Sequence, residues 1–140
     1  MKITKFLSFD AAHMLSEYEG KCANLHGHTY HVKVEINFDG YQDHMVLDYN
    51  EIKKVFDACD HAIIFSGCGI RNKAEDDLYA WALKHDMRRY VLPDNCKCTA
   101  EDMAHHFAQV IRHLFVTTEF CHVCVHMSET ETADAIAEAS

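Results

Sequence analysis

The stretch HTYHVKVEINF, residues 28–38, decides the fold because it alternates apolar and polar side chains along its whole length. Successive side chains of a β-strand point to opposite faces of the sheet, so this period of two predicts a half-buried strand from His28 to Phe38. Tyr30 and the apolar residues that follow it would face a core, whereas His31 and its polar neighbours would face away. We therefore expect a sheet that is covered on one side.

The segments around this strand complete an α+β pattern. Residues 2–13 also alternate and predict a strand that ends at His13, and residues 120–129 predict a last strand. A turn is expected at Asp39-Gly40, and the alanine-rich end of the chain carries no strand signal. Strands followed by helices and a returning strand are typical of an antiparallel sheet with helices on one face.

Three helices are predicted by a capping residue that precedes apolar residues at helical spacing. Their predicted starts lie at Asp48, near Asn72 and at Thr99. The last helix has the clearest apolar stripe, which consists of Met103, Phe107, Val110, Ile111 and Leu114. We expect this stripe to pack on the sheet.

Length and composition fit a single domain over residues 1–140, with 49% hydrophobic and 25% charged residues. No uncharged apolar run approaches the roughly 20 residues that span a bilayer, and the first residues lack the features of a signal peptide. We therefore expect a cytoplasmic protein without a membrane partner. A net charge of −9 with scattered basic residues argues against nucleic-acid binding, and the seven cysteines are expected to be reduced thiols.

His26 and His28 form an HxH pair whose side chains share one face of an extended strand. If the first strand pairs beside the second, His13 supplies a third imidazole. Three histidines with an open fourth position are an arrangement of catalytic zinc sites. The alternative is a chance pair in a chain with 12 histidines, with His13 an ordinary strand-end residue.

The role of Cys22 is open on spacing alone. As a fourth ligand it would close a structural zinc site. As a thiol beside the cation it would act as a base or nucleophile. It could also be an inert buried thiol.

A second group of potential ligands, Cys121, His122, Cys124 and His126, is expected to pack in or around the core. Strand alternation places Cys121 and Cys124 on opposite faces, so the group cannot converge on one point. We therefore do not predict a metal site from these four residues.

Six motifs occur in order along the chain: FDAAH, CANLHGHTYHVKVE, MVLDYNEIK, CDHAI, TAEDMA and HMSET. Together they resemble the 6-pyruvoyltetrahydropterin synthase superfamily. The three residues between Cys22 and His26 are similar to the queuosine-pathway branch, since the 6-pyruvoyl branch has a longer insertion there. Cys22 also argues against the folate-linked branch, which has glutamate in place of this thiol.

The resemblance implies a role for each residue of the candidate site. It implies zinc ligands at His13, His26 and His28, a catalytic thiol at Cys22 outside the coordination sphere, an Asp60-His61 pair for proton transfer, a pterin anchor at Glu129 and further substrate contacts at Thr99 and Glu101. Without the family, the Asp60-His61 pair would be an ordinary helix end, Glu129 a solvated charge and Thr99 a helix cap. Cys98 replaces the proline of the family motif, which we expect to loosen its loop.

The resemblance also implies the tunnelling fold, a four-stranded antiparallel sheet with helices on one face whose subunits join into a barrel. The implied partners are a pterin triphosphate and copies of the chain in a homohexamer with sites at subunit interfaces. The implied reaction is zinc-dependent conversion of 7,8-dihydroneopterin triphosphate to 6-carboxytetrahydropterin in queuosine biosynthesis. The alternatives are triphosphate elimination to 6-pyruvoyltetrahydropterin, and a non-catalytic protein of this fold that binds zinc or pterin.

Overall fold

The computed structural model describes residues 1–38, 47–114 and 121–140. The elements of these stretches are β1 (Lys2–His13), β2 (His26–Phe38), α1 (Tyr49–Asp57), β3 (Ala62–Phe65), α2 (Lys73–Lys84), β4 (Arg89–Val91), α3 (Ala100–Leu114), β5 (Cys121–Thr130) and β6 (Ala133–Ala139). The predicted turn at Asp39-Gly40 and the first residue of the predicted last strand, Phe120, lie outside the described residues.

The described strands form one sheet in the order β4-β3-β1-β2-β5-β6. The central pairs β1/β2, β2/β5 and β5/β6 are antiparallel, whereas β1/β3 and β3/β4 are parallel. The α+β class is confirmed, but the sheet has six strands of mixed direction rather than four antiparallel ones. The sequence missed β3 and β4 because they have only four and three residues, too few for an alternating pattern.

The three predicted helix starts are confirmed by their capping hydrogen bonds. The Asp48 side chain accepts from the Asn50 amide at 2.8 Å, and the Asn72 side chain accepts from the Glu75 amide at 2.9 Å. The Thr99 hydroxyl oxygen lies 3.3 Å from the Asp102 amide, which donates to it. These caps satisfy amides that have no partner inside the first turn of a helix.

Helix α3 covers the sheet with its apolar stripe, as predicted, along β5 and β6. Met103, Phe107 and Ile111 are fully buried, whereas Leu114 at the end of the stripe is 55% exposed. The Phe107 ring lies 4.6 Å, between centroids, from the Phe56 ring of α1, so this residue joins two helices to the core. Within the described stretches, none of the helices has the length and apolar character needed to cross a membrane.

The end of the chain forms a strand that the sequence did not predict. β6 pairs with β5, and Ala135, Ala137 and Ala139 lie on its helix-covered face while the residues between them are exposed. Alanine has a low preference for strands, so the sequence carries no signal here. Pairing with β5 and contact with α3 supply the order that intrinsic propensity does not.

Replacing Phe107 with alanine is expected to lower the free energy of unfolding by about 3–5 kcal/mol, because the change leaves a cavity between α1, α3 and the sheet. The matched control is Leu114→Ala in the same helix. This change should lower the free energy of unfolding by less than about 0.5 kcal/mol, since Leu114 is largely exposed. Chemical denaturation of both variants at one protein concentration measures the difference. Equal losses in the two variants would contradict this account of the core.

Candidate functional site

The register of β1 and β2 brings three histidines together. His13 is paired with His26 across the two strands, and His28 is paired with Ala11, so the three imidazoles project from the same face. One ring nitrogen of each lies within 4.8 Å of the others, and the Nε2 atoms of His13 and His26 are 3.1 Å apart. The predicted grouping of His13, His26 and His28 is therefore present in the geometry.

Backbone carbonyls orient two of these rings. His13 Nδ1 lies 2.6 Å from the carbonyl oxygen of Cys98, and His26 Nδ1 lies 2.7 Å from the carbonyl oxygen of Asn24. Because a carbonyl oxygen only accepts, each Nδ1 must carry a proton, and in the neutral ring the Nε2 atom then presents its lone pair. Such hydrogen bonds on the far nitrogen are how metal-binding histidines are held in place.

The burial of the cluster favours the uncharged imidazoles that a metal ion needs. Burial lowers the pKa of His13 to about 4, and burial together with the neighbouring His26 lowers the pKa of His28. Among the described residues, the buried Nε2 of His28 has no hydrogen-bond partner. Three neutral imidazoles with converging lone pairs fit a zinc-type cation that keeps a fourth position open.

Cys22 lies in a short 3₁₀ turn, Lys21–Ala23, in the connection between β1 and β2. Gly20 enters this turn with φ of 152°, a conformation that side chains disfavour, and the Cys22 carbonyl accepts from the Leu15 amide at 2.9 Å. The thiol is half-buried and does not belong to the group of donor atoms that lie within 4.8 Å of one another. The donor atoms that converge therefore do not include the Cys22 sulfur as a fourth ligand.

Asp60 and His61 form a pair that the backbone of β1 holds in position. The Asp60 carboxylate accepts from the Asp10 amide at 3.0 Å and lies 3.1 Å from His61 Nδ1. These two contacts, the first of them the stronger, lower the pKa of Asp60. His61 itself has φ of 58°, and its amide donates to the Asp10 carbonyl at 2.6 Å, so the surrounding structure maintains an unfavourable backbone conformation.

The Asp60-His61 pair is therefore more than an ordinary helix end, since α1 has already ended at Asp57. An open cleft of about 500 Å³ is lined by both His28 and His61. The ring of His61 is mostly exposed, with 75% of its side chain accessible. His61 of the pair and His28 of the cluster thus line the same cleft.

Glu129 on β5 completes the cluster from the neighbouring strand. Its carboxylate oxygens lie 3.7 Å from His13 Nε2 and 3.8 Å from His28 Nε2. Burial and the nearby Glu101 carboxylate raise the pKa of Glu129. Only 28% of the side chain is exposed, so Glu129 is not the fully solvated charge of the alternative interpretation.

The remaining predicted residues lie at the start of α3. The Thr99 hydroxyl caps this helix, and Glu101 is an exposed residue of its first turn that influences Glu129 through its charge. The expectation that Cys98 loosens its loop is wrong. The Cys98 amide donates to the Ser66 hydroxyl oxygen at 3.2 Å, and its thiol donates to the Met14 carbonyl at 3.1 Å, two bonds that proline could not make.

Sequence reasoning missed the groups that orient the cluster. Two are the backbone carbonyls of Cys98 and Asn24, which no side-chain pattern reveals. The third is Tyr30, a fully buried residue whose hydroxyl lies 3.2 Å from His13 Nδ1. Tyr30 lies two residues after His28 on the same strand face, and this spacing could have indicated a contact with the cluster. The alternating pattern was interpreted only as evidence of a core residue.

The fold is that of the tunnelling-fold proteins. The structure of 6-pyruvoyltetrahydropterin synthase from Plasmodium falciparum matches with a TM-score of 0.69 at 18% identity, covering 99% of this chain and 97% of that chain. The Caenorhabditis elegans 6-pyruvoyltetrahydropterin synthase structure matches with a TM-score of 0.59 at 24% identity, covering 100% and 96%. The predicted fold family is therefore confirmed.

The family model described as 6-pyruvoyl tetrahydropterin synthase matches residues 2–140, and the chain belongs to this family of enzymes. A Haemophilus influenzae relative named 6-carboxy-5,6,7,8-tetrahydropterin synthase is 35% identical over 121 residues, which are 80% of this chain and 82% of the relative. A Synechocystis relative of the same name is 33% identical over 89 residues, 56% of this chain and 69% of the relative. These findings confirm the predicted superfamily.

Replacing His26 with alanine is expected to remove one equivalent of bound zinc per chain, because it deletes one of three converging lone pairs. The loss in affinity should exceed tenfold, since even the outer hydrogen bonds of metal ligands are worth about 10–100-fold. The matched control is His31→Ala, an exposed histidine on the opposite face of the same strand. Calorimetric titration of the metal-free variants with zinc measures the affinity and the number of ions bound. Unchanged zinc binding by His26→Ala would refute the assignment of His26 as a ligand.

Proposed function

We propose that this chain is a zinc-dependent 6-carboxy-5,6,7,8-tetrahydropterin synthase. The reaction converts 7,8-dihydroneopterin triphosphate and water to 6-carboxytetrahydropterin, acetaldehyde and triphosphate, in the biosynthesis of queuosine and related 7-deazapurines. The observation that carries the proposal is the convergence of three imidazoles beside a half-buried carboxylate. The names of the relatives from Haemophilus influenzae and Synechocystis support the 6-carboxy product.

Glu129 binds the pterin ring in this proposal. A carboxylate can take two hydrogen bonds from the amino-pyrimidinone edge of a pterin, and such charge-assisted pairs fix orientation as well as affinity. Glu129 lies within 4 Å of two histidines of the cluster, so a ring held there has its side chain close to the imidazoles. In this proposal Thr99 and Glu101, at the start of α3, make further contacts with the substrate.

His13, His26 and His28 hold the metal, and their carbonyl-bound Nδ1 atoms keep two of the rings in the orientation that binding needs. A zinc ion held by these residues would supply Lewis-acid polarisation of a substrate side-chain oxygen. Cys22 acts as the base that removes a proton from the substrate side chain. Its turn is joined to the cluster through Asn24, whose amide donates to the Lys21 carbonyl at 3.0 Å and whose own carbonyl binds His26.

His61 carries protons on the other side of the substrate. Asp60 holds the Nδ1 of His61 and stabilises the protonated ring, which leaves Nε2 to exchange protons with the substrate. His61 has a left-handed backbone conformation and lines the same cleft as His28. Elimination, tautomerisation and carbon-carbon cleavage then use two proton carriers on opposite sides of one ring system.

We also propose that the chain assembles as a homohexamer with its sites at subunit interfaces. The described sheet ends at β4 and β6, and strands at a sheet edge present backbone groups that another subunit can pair with. The exposed side chain of His61 would become more enclosed in such an assembly.

The intact protein is expected to consume 7,8-dihydroneopterin triphosphate and release acetaldehyde. Cys22→Ala should abolish this turnover while zinc content is retained, because the thiol is a base and not a ligand. Cys68→Ala, which changes an exposed cysteine, is the matched control and should keep full activity. Product chromatography and metal analysis of the three proteins test these statements together.

Each alternative has its own outcome in that assay. Formation of 6-pyruvoyltetrahydropterin without acetaldehyde would show the other branch of the family. Pterin and zinc binding without turnover would show a non-catalytic protein of this fold. Loss of zinc from Cys22→Ala would make the cysteine a ligand and overturn the assigned mechanism.

Asp60→Asn is expected to lower kcat by about 10²–10⁴-fold, because an amide cannot stabilise a protonated His61. The amide oxygen can still accept from the Asp10 amide, so the turn and the bound zinc should be retained. Asp57→Asn, three residues earlier and exposed, is the control and should have wild-type kinetics. A fall in kcat of Asp60→Asn that is matched by loss of folded protein in circular dichroism would argue for a purely structural role.

A further inference from the structure

The uncovered face of the sheet carries a second cluster of potential metal ligands, Glu35, Cys124 and His126. One donor atom of each lies within 4.8 Å of the other two. This face is opposite to the one that carries the three histidines, because Glu35 lies an odd number of residues after His28 on β2. The two clusters are therefore separated by the sheet itself.

The strand register creates this cluster. Glu35 on β2 is paired directly with Cys124 on β5, and His126 lies two residues further on the same face of β5. Glu35 Oε2 lies 3.3 Å from His126 Nε2, and Cys124 Sγ lies 3.5 Å from the same nitrogen. A sulfur, a nitrogen and an oxygen donor thus converge from two neighbouring strands.

Hydrogen bonds among Glu35, Cys124 and His126 cannot satisfy all three of their converging atoms at once. His126 Nε2 carries at most one proton, so it cannot donate fully to both the carboxylate and the sulfur. If the thiol donates to the ring instead, the carboxylate faces a nitrogen lone pair. A cation between the three atoms would bind all of them at once.

The neighbouring lysines do not block the position. Lys2 and Lys33 bind Glu35 at 2.7 Å and 3.0 Å, but both contact its Oε1 atom. The Oε2 atom therefore faces His126 without a lysine contact. On the other side, Glu138 of β6 is paired with Cys124 and binds His122 at 3.4 Å. The lysines therefore leave one carboxylate oxygen of Glu35 directed at His126, with both signs of charge around the cluster.

The cluster is enclosed but remains reachable from solvent. The Glu35 and His126 side chains are 13% and 21% exposed, and Cys124 is 7% exposed. Partial burial of this kind shields a bound cation from competing water. A site lined by sulfur, nitrogen and oxygen selects a borderline transition metal over magnesium or calcium.

We propose that Glu35, Cys124 and His126 form a second metal site, for a zinc-like divalent cation, on the uncovered face of the sheet. The site has three protein ligands from β2 and β5 and is independent of the proposed catalytic function. It differs chemically from the histidine cluster because one of its ligands is a thiolate.

Cobalt(II) is the probe that separates the two sites, since thiolate coordination gives a charge-transfer absorption band that imidazole ligands do not. Metal-free protein titrated with cobalt should show this band, and His26→Ala should keep it because the histidine cluster is a different site. Cys124→Ser should lose the band and one equivalent of bound metal. His126→Asn and Glu35→Gln should weaken the same binding by more than about tenfold.

Matched variants control for the other cysteines and histidines of the chain. Cys68→Ser changes an exposed thiol and His122→Asn changes a histidine of the same face of β5, and both should retain the band. Cys22→Ser should retain it as well. The proposal is overturned if wild-type protein gives no band, if Cys124→Ser keeps it, if Cys22→Ser loses it, or if His122→Asn weakens binding as much as His126→Asn.

Discussion

The antiparallel register of β1 and β2 is the constraint on which the rest of the molecule depends. It pairs His13 with His26 and thereby places three imidazoles on one face at the ends of two strands. A slip of one residue would turn every side chain of β2 to the other face. The cluster would be dispersed, and Tyr30, Val32, Val34 and Ile36, which are buried under the helices, would be moved to the uncovered side. Core formation and site formation are thus specified by the same alternation.

The burial of the histidine cluster has an energetic cost that the backbone offsets. Removing an imidazole from water is unfavourable unless its polar atoms find partners. The Cys98 and Asn24 carbonyls satisfy one nitrogen of His13 and of His26, and in doing so they orient the second nitrogen toward the centre. Cys98 is itself held in place, because its thiol binds Met14, the residue after β1, and its amide binds Ser66, the residue after β3. The start of α3 therefore belongs to the site as much as the strands do.

The parts of this arrangement that follow strict periodicity were predictable from sequence. The strands β1, β2 and β5, the three helix caps and the shared face of His26 and His28 were all read from local spacing. The strands β3, β4 and β6 were missed because the first two are very short and the third is built from alanine. The orienting carbonyls could not be found, since every backbone offers the same groups. Glu35 was not connected with Cys124 and His126 because it lies on a different strand, and only the β2/β5 register joins them.

The two clusters make β2 the common element of two separate cross-links. A cation at the histidines would tie β2 to β1, whereas a cation at Glu35, Cys124 and His126 would tie β2 to β5 on the other face. Metal binding that requires the folded register adds its free energy to folding, so each ion would stabilise a different strand pair. The ligand types also differ with the surroundings. The covered face offers imidazoles oriented by backbone carbonyls and keeps a position for substrate. The uncovered face offers a thiol and a carboxylate beside two lysines, which suits an ion that is held for structure rather than for catalysis.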